Sequence, residues 1–451
     1  MMFKKVKEYF SGKKVLLIGL GLQGGGAGTA RFLRKAGADL TITDLKSEND
    51  LAASIKKISE SGIKFVLGRH RKEDFARADI IVKNPGVPQE SPFIFYARNL
   101  GKPVWSDTQI FFNLIPREKI IGITGTKGKS TTCRLLQHFL KRRFDARLIG
   151  LPGSSALEDL MKRGNKLPDY FIYELSSFSL ENLKTSPKYA LVTNLFPDHL
   201  NRYSSFGEYL KAKENIFIHQ QKGDVLWLNK RDPISLAEAK KAGKRSKIIF
   251  FIPGQKPILT GSIQAKLISP ASLEASRKVA QFFGISPRDT NKMINSFSPE
   301  EGRLQYIGKI NGIYVINDTT ATNPGSALFG IRQVLKCFGL AKNRLILIAG
   351  GDDKNLDYHD FSRYVSGLKK IIFLPGTATD KIIDAAKEFS SSNYFPASGM
   401  PEAAAFAFEA AKKGDVILFS PAAASFNLFK NEFDRGRSFV NAVRTGKKRL
   451  L

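Results

Sequence analysis

The stretch ITGTKGKSTT, residues 123–132, closes the apolar run KIIGIT and leads into a helix-like segment that begins near Ser130. A strand that passes through a glycine turn into a helix gathers backbone N–H groups at a helix N-terminus, which suits nucleotide phosphates. Gly125, Thr126, Lys127, Gly128, Lys129, Ser130 and Thr131 are the residues expected around them. Lys129 is expected to reach the β- and γ-phosphates and the Ser130 hydroxyl to meet Mg²⁺. Ile123 stands where the strict GxxxxGK[ST] pattern has its first glycine, so Gly125 and Gly128 form a tighter version of the turn.

Working outward, the same alternation of apolar runs and helical segments fills the chain. Upstream, KKVLLIGL, GLGLQGGGAG, ARFLRKAG and ADLTITD read as strand, glycine turn, helix and strand, followed by IKFVLG, ADIIVKNPGVP, the helix-like FIFYARNLG and PVWSD. Downstream, YFIYELS, YALVTNL, GDVLWLN and KIIFFI read as strands, with helices at SFGEYLKAKENIF and SLEASRKVAQFFG. From Tyr306 a further series begins, with strands at GIYVIND, RLILIAGG, KIIFLPG and DVILFSP. Such alternation predicts parallel sheets covered by helices. The chain therefore reads as three consecutive α/β domains: a Rossmann-like one over 1–116, a P-loop ATPase-like one over 117–301 and a Rossmann-like one over 302–451.

Composition narrows the function classes. The 451 residues carry 71 Lys and Arg against 41 Asp and Glu, a formal charge of +30, and 42% are hydrophobic, which excludes wholesale disorder. Cys133 and Cys337 stand far apart and give no disulfide framework or CxxC pair, and no stretch approaches the ~20 apolar residues of a membrane span. A reducing, cytoplasmic setting is the expectation. The charge alone admits a nucleic-acid or anionic-membrane partner or an enzyme of polyanionic substrates. It lies in short scattered clusters such as Arg69 to Lys72 and Lys240 to Arg245, as a solvated surface would, and no nucleic-acid partner is expected.

Two further groups of residues carry chemistry. Glu174 in YELSSFSLE, and Asp198 and His199 in TNLFPDHLNRY, follow neighbouring apolar strands, where a parallel sheet places its ligands. Beside a P-loop they are candidate metal ligands. Near the N-terminus, GLGLQGGGAG followed by Asp44 suits either an NAD(P) site or another diphosphate. An oxidoreductase reading leaves the P-loop unexplained.

Taken in order, TGTKGKSTT, YELSSFSLE, TNLFPDHLNRY, YLKAKENIF, NDTTATNP, AGGDDKNLD and SPAAASFNLFKN resemble the motifs of the Mur ligases over nearly the whole chain, and most of all the D-glutamate-adding branch. The resemblance implies a UDP-binding domain, a central ATPase and a C-terminal amino-acid-binding domain. It implies ATP-driven amide formation through an acyl phosphate, joining D-glutamate to UDP-N-acetylmuramoyl-L-alanine in peptidoglycan precursor synthesis, with a monomer expected. Residue by residue, Lys129, Glu174, His199 and Lys213 would be catalytic. Ser130 and Glu174 would hold one Mg²⁺ and His199 a second, with Lys213 carbamylated to supply oxygen ligands. Arg303 and Asp318 would join the P-loop residues in binding ATP between the second and third domains. Gly21, Gly24, Gly25, Asp44, Asn84 and Gly86 would bind the UDP moiety, and Thr322, Lys354 and Ser425 the amino acid.

The sequence also departs from the family pattern. Lys127 replaces the usual P-loop asparagine, Leu148 another asparagine, Gly302 the histidine before Arg303 and Thr320 a lysine, and SPASLEAS lacks two asparagines. These differences keep two alternatives in play, a related ligase of folylpolyglutamate type or other substrate and a nucleotide-binding paralogue without ligase activity; the +30 charge carries a third, a basic nucleic-acid-binding protein.

Overall fold

The computed structural model describes residues 2–22, 24–58, 62–151, 153–161, 166–199, 202–254, 261–389, 393–425 and 428–449. Residues 200–201 of the TNLFPDHLNRY stretch and 426–427 of SPAAASFNLFKN lie outside these. Among the described residues the strands form three sheets. The first holds β1 (Lys14–Ile18), β2 (Asp39–Asp44), β3 (Lys64–Leu67), β4 (Ile80–Lys83) and β5 (Val104–Ser106) in the order β3-β2-β1-β4-β5. The second holds β6 (Ile120–Thr124), β7 (Ala146–Ile149), β8 (Tyr170–Glu174), β9 (Tyr189–Val192), β10 (Asp224–Asn229) and β11 (Ser246–Phe251) in the order β11-β10-β9-β6-β8-β7. The third holds β12 (Gln305–Ile310), β13 (Ile313–Asn317), β14 (Leu345–Gly350), β15 (Lys370–Leu374), β16 (Tyr394–Pro396) and β17 (Val416–Phe419) in the order β12-β13-β17-β14-β15-β16.

Strands β4, β6, β14 and β17 are buried at every residue. Helices cover both faces of a parallel sheet, so these strands are near-continuous apolar runs, with polar Lys83 and Thr124 only at the C-terminal ends of β4 and β6. The exception to parallel pairing is the β12–β13 hairpin. Its two-residue loop, Asn311-Gly312, has φ of +48° and +82°, the backbone that a type I′ turn requires. The sequence reading starts the third series at GIYVIND and passes over β12, although Asn-Gly between two apolar runs is the signal for it. It also passes over β7 and β16, which are short edge strands.

Strand order places the ligand crevices. In the first sheet β1 and β4 are neighbours while the chain between them adds β2 and β3 on the other side, so the C-terminal ends of β1 and β4 open into a crevice. In the second sheet β6 lies between β8 and β9, which sets the P-loop, Glu174 and Thr193 at adjacent strand ends. In the third, β13, β17 and β14 are adjacent.

The chain divides into two compact units, 1–253 with 271–290, and 254–270 with 291–451. In the first unit one apolar cluster runs from Leu17 and Leu33 through Phe111 to Phe171 and Leu226, so the first and second sheets share a core. Their contact is tight at helix Gly25–Lys35. A Cβ on Gly28 would lie 2.6 Å from Ser155 Cβ and 2.7 Å from Glu158 Oε2, and Arg31 pairs with Glu158 at 2.7 Å. Residues 271–290 complete the second sheet's covering, with the Phe283 ring 4.8 Å from Tyr170 and 5.0 Å from Tyr189. In the second unit, separate apolar clusters lie on the third sheet, one including Leu347 and Phe361 and the other Ile348 and Phe439. No helix among the described residues is long and apolar enough to cross a membrane.

Candidate active site

The P-loop is shaped by its neighbour strand as much as by its own glycines. Gly125 has φ +147°, and a Cβ there would lie 1.9 Å from Thr193 Oγ1. Just past β9, the Thr193 hydroxyl donates to Lys127 O at 2.8 Å, and the Asn194 amide accepts from Lys127 N at 2.9 Å and donates to Lys127 O at 3.0 Å. Thr126 N donates to Asn194 O at 2.9 Å. This clasp was missed in the sequence, where only Asp198 and His199 of the same stretch drew attention. Gly128, at φ +83°, caps helix Lys129–Leu140, a position that favours glycine.

Lys129 Nζ donates to Gly125 O at 2.9 Å and Thr126 O at 3.2 Å, so the side chain folds over the loop. Ser130 Oγ donates to Glu174 Oε1 at 3.0 Å, and both residues are buried. Beneath them Lys213, on helix Phe206–Glu214, is 3% exposed and donates to Gly125 O at 2.9 Å and Thr124 Oγ1 at 3.3 Å. Burial, reinforced by the Lys129 charge, holds its pKa well below the usual lysine range. Lys211, on the same helix, is instead exposed and pairs with Glu208 at 3.0 Å. Tyr209 from the same helix donates to Thr126 Oγ1 at 3.0 Å and closes the loop from below.

His199 has φ +56° and lies with its ring 5.0 Å from that of Phe178. Burial lowers its imidazole pKa; Asp198 opposes this and Lys129 and Lys127 add to it, which favours the neutral, ligating form. Lys127 replaces the usual asparagine and pairs with Asp198 at 3.3 Å. Burial would raise the Asp198 carboxyl, but Lys127 and His199 carry it below its ordinary value.

The donor set fits a hard cation in part. The Ser130 hydroxyl and Glu174 carboxylate are adjacent oxygens at a helix N-terminus. Among the described residues no group of three or more His, Cys, Asp or Glu side chains is placed to hold a metal ion. The nucleotide phosphates, water or a modified side chain would supply the remaining oxygen ligands.

In the first sheet, Gly21, Asp44, Asn84 and Gly86 line one cavity of about 470 Å³ with Gly19, His70 and Phe93. The Asp44 carboxylate accepts from Leu20 N at 2.8 Å, Gly21 N at 3.0 Å and Lys46 N at 2.9 Å, so it braces the glycine turn. Gly24 and Gly25 instead begin helix Gly25–Lys35 beside Gly153 and Ser154 of the second sheet's side. His70, which the sequence reading did not single out, bonds Thr43 Oγ1 through Nδ1 at 2.7 Å and meets Phe93 edge-on at 5.0 Å. The histidine and phenylalanine give the cavity an aromatic wall.

In the third sheet, Thr322, Lys354 and Ser425 follow the adjacent strands β13, β14 and β17. Lys354 Nζ donates to Thr322 Oγ1 at 3.2 Å, and the isolated Asp352–Ala424 bridge draws the Lys354 and Ser425 loops together. Arg435 was also missed. It is 1% exposed on helix Glu432–Arg449, and its guanidinium donates to the carbonyls of Ala423, Ala424 and Thr319 at 2.9–3.1 Å. It therefore ties the loops after β13 and β17 from behind. Burial lowers its pKa to about 10, opposed by Glu432.

Arg303 pairs with Glu300. Asp318 is buried and accepts from Leu304 N at 3.1 Å and the Ser420 hydroxyl at 3.0 Å, so its carboxylate is engaged within its own unit. Two departures meet here: Thr320 Oγ1 donates to Gly302 O at 2.9 Å. Burial pushes the Asp318 carboxyl up to about 7, against the lowering effects of Leu304 N, Ser420 and Arg303. Because its folded-state value lies above the unfolded one of about 4, its stabilising contribution is complete below about pH 4 and is lost as the pH rises through about 7. Asp318→Asn is expected to flatten that part of the pH–stability curve, by on the order of 2–4 kcal/mol. Urea unfolding of both proteins between about pH 5 and 8 checks this, and identical slopes would count against it.

Three family models match the chain: the MurD-like N-terminal domain of Mur ligases over residues 13–106, the Mur ligase middle domain over 123–282, and the glutamate ligase domain of Mur ligases over 302–423. The UDP-N-acetylmuramoylalanine--D-glutamate ligase of Roseiflexus sp. (strain RS-1) is 36% identical over 469 residues, spanning 96% of this chain and 98% of that protein. Among solved structures, the UDP-N-acetylmuramate-alanine ligase MurC of Thermotoga maritima aligns with a TM-score of 0.59 at 19% identity, over 96% of this chain and all of that one. The MurF ligase of Thermotoga maritima in complex with ADP aligns with a TM-score of 0.58 at 14% identity, over 99% of this chain and 97% of that one. These two likenesses speak to the fold alone.

Proposed function

The chain belongs to the Mur ligase family, and from that premise we propose how its own residues carry out the family's chemistry. The enzyme is an ATP-dependent ligase that adds D-glutamate to UDP-N-acetylmuramoyl-L-alanine in peptidoglycan precursor synthesis. The substrate carboxylate attacks the γ-phosphate of ATP to give an acyl phosphate and ADP; the amino group of D-glutamate then attacks the carbonyl, and phosphate leaves. Carboxylate and polyphosphate repel one another, so the protein has to supply positive charge where they meet.

The observation that carries the assignment of residues is the stack of Lys129, Ser130, Glu174 and Lys213 around one loop. In it Lys129 leaves the Gly125 and Thr126 carbonyls that hold it and takes up the β- and γ-phosphates, which lie against the backbone N–H groups of residues 125–131. Ser130 and Glu174 would hold one Mg²⁺ and His199 a second, and these ions supply charge neutralisation for the transferring phosphoryl group. Lys213 is set up for carbamylation: its amine, pushed toward the neutral form by burial, attacks CO₂, forming an N–C bond and releasing a proton. The product is an oxygen ligand that a hard cation accepts where an ammonium would be repelled.

In the first sheet's cavity, Gly21, Asn84 and Gly86 are placed for the UDP moiety, with Asp44 holding the turn that meets it. At the third sheet, Lys354 would take a carboxylate of D-glutamate, and the hydroxyls of Thr322 and Ser425 would donate to it. ATP and UDP-linked sugars are made inside the cell, which sets the reaction in the cytoplasm.

Phosphate release measured with ATP, UDP-N-acetylmuramoyl-L-alanine and a panel of amino acids tests the assignment. Turnover is expected with D-glutamate, with other amino acids slower by about a hundredfold or more. Preference for another amino acid would overturn the reading of Thr322, Lys354 and Ser425.

A further inference from the structure

Between the UDP cavity and the metal-binding end of the second sheet lies a cluster of charges that the reaction as described leaves unused. Lys83 is the last residue of β4, immediately before the Asn84-Pro85-Gly86 turn, and only 2% of its side chain is exposed. Its Nζ donates to Val87 O at 2.6 Å, which closes the turn together with the 3.0 Å bond from Val87 N to Asn84 O. The same ammonium lies 3.8 Å from Glu181, which is 9% exposed and belongs to the second sheet's side.

Glu181 is shared. It accepts from Tyr203 OH at 2.9 Å and from Arg202 at 3.4 Å, and Arg202 also pairs with Glu90, just beyond the turn, at 2.9 Å. Arg202 and Tyr203 both donate backbone N–H groups to His199 O, at 2.9 and 3.0 Å. The Tyr203 ring stacks on Phe178 at 6.0 Å, and Phe178 faces His199. Tyr203 also meets Tyr209, which bonds Thr126 of the P-loop. A continuous set of contacts thus joins the turn that would hold one end of the nucleotide-linked substrate to the segment that would hold its carboxylate end.

We propose that Lys83, Glu181 and Arg202 are positioning residues that fix the separation between the UDP-binding turn and the His199 segment, so that occupancy of the turn sets the carboxylate end for reaction. The inference rests on the substrate reading given above. A long substrate gripped at both ends gains from its binding energy only if the two grips keep their spacing, since a misplacement of about 1 Å can cost about a hundredfold in rate. Burial is what makes the cluster stiff. A charge pair that is almost wholly buried cannot exchange its partners for water, so breaking it costs far more than breaking a surface pair.

The test uses the full-length protein. Lys83→Met is expected to raise KM for the UDP-linked substrate about tenfold while KM for ATP stays within about twofold. Combining it with Glu181→Gln should cost less than the sum of the two single losses, because both changes remove the Lys83–Glu181 pair, while Glu181→Gln also weakens the Arg202 contact. Lys83→Arg should restore most of the loss, the cavity of about 540 Å³ beside Lys83 giving a guanidinium room. UDP alone should slow amide hydrogen exchange in the wild type both at residues 84–91 and at residues 202–213, and in Lys83→Met only at 84–91.

If Lys83→Met does not fold, Glu90→Gln takes its place, since Glu90 is 76% exposed and its loss leaves no buried charge. It should raise KM for the UDP-linked substrate about threefold with ATP unaffected. An unchanged KM in whichever of the two variants is measured, or equal losses for both substrates, would overturn the proposal, as would undiminished protection of 202–213 in Lys83→Met. Absence of protection at 84–91 in the wild type would instead overturn the UDP reading, and the inference with it.

Discussion

Lys129→Ala is expected to lower ATP turnover by about a thousandfold and to leave the fold in place. The size of the loss follows from the charge that the lysine supplies to a phosphoryl group in flight, where a single lost donor already costs about a hundred- to a thousandfold. The fold survives because the loop is held from outside the side chain. Thr193 and Asn194 clasp the backbone of Lys127, and glycines stand at the positive-φ positions 125 and 128, so the loop stays anchored when the Lys129 bonds to Gly125 O and Thr126 O are lost. Steady-state phosphate release and thermal unfolding of the same preparation check both halves. A near-wild-type rate would refute the P-loop assignment, and a collapsed melting transition would show that the lysine is structural.

Lys213→Ala is expected to abolish ligation to a similar extent without destabilising the protein through its charge. The native-state pKa of Lys213 lies below its unfolded value, so the charged form opposes folding at neutral pH, and this opposition fades as the pH rises through the folded-state value toward about 10.4. Removing the amine removes that opposition, and what is lost in return is packing and two hydrogen bonds. Activity therefore falls for a chemical reason. Wild-type enzyme stripped of CO₂ should lose activity and regain it with bicarbonate, gaining the mass of one CO₂ in the intact-protein spectrum, and the alanine variant should do neither. An active Lys213→Ala variant, or a wild type indifferent to CO₂ removal, would refute the carbamate.

The parts of the molecule legible in the sequence are those in which physical cause and residue stand close together along the chain. Runs such as IIGIT and LILIAG announce buried parallel strands because both faces are covered, and TGTKGKS announces an anion nest because loop and helix start are contiguous. Glu174 was legible because it ends a strand beside that loop. What stayed hidden depends on distant segments. Thr193 and Asn194 shape the P-loop from 66 and 67 residues away. Arg435 reaches back 116 residues to Thr319, and a lone arginine in an amphipathic helix gives no sign that its head is buried. Asp44 reads as a ligand residue, yet its carboxylate is spent on three backbone N–H groups of the turns around it. The β12 strand was legible from Asn311-Gly312 and was overlooked.

Net charge was the least informative property. Three of the 71 basic residues stand out by burial or partner: Lys213 beneath the P-loop, Lys129 over the loop carbonyls and Lys83 beside Glu181. The same departure from the family pattern that adds a cation at Lys127 also brings Asp198 to it, so local neutrality is kept.

The close packing of Gly28 on Ser155 and Glu158 has a bearing on how such enzymes are built from exchangeable parts. A first domain grafted from a relative would bring whatever residue that relative has at this position, and any side chain larger than hydrogen would strike the helix Ala156–Met161 region of the host. The segment that can be transplanted or inherited intact is thus the pair of domains, with its seam included, rather than the nucleotide-sugar module alone. Recombination and chimera design should keep residues 1–253 together with 271–290, so that the helix carrying Gly28 retains its own neighbour.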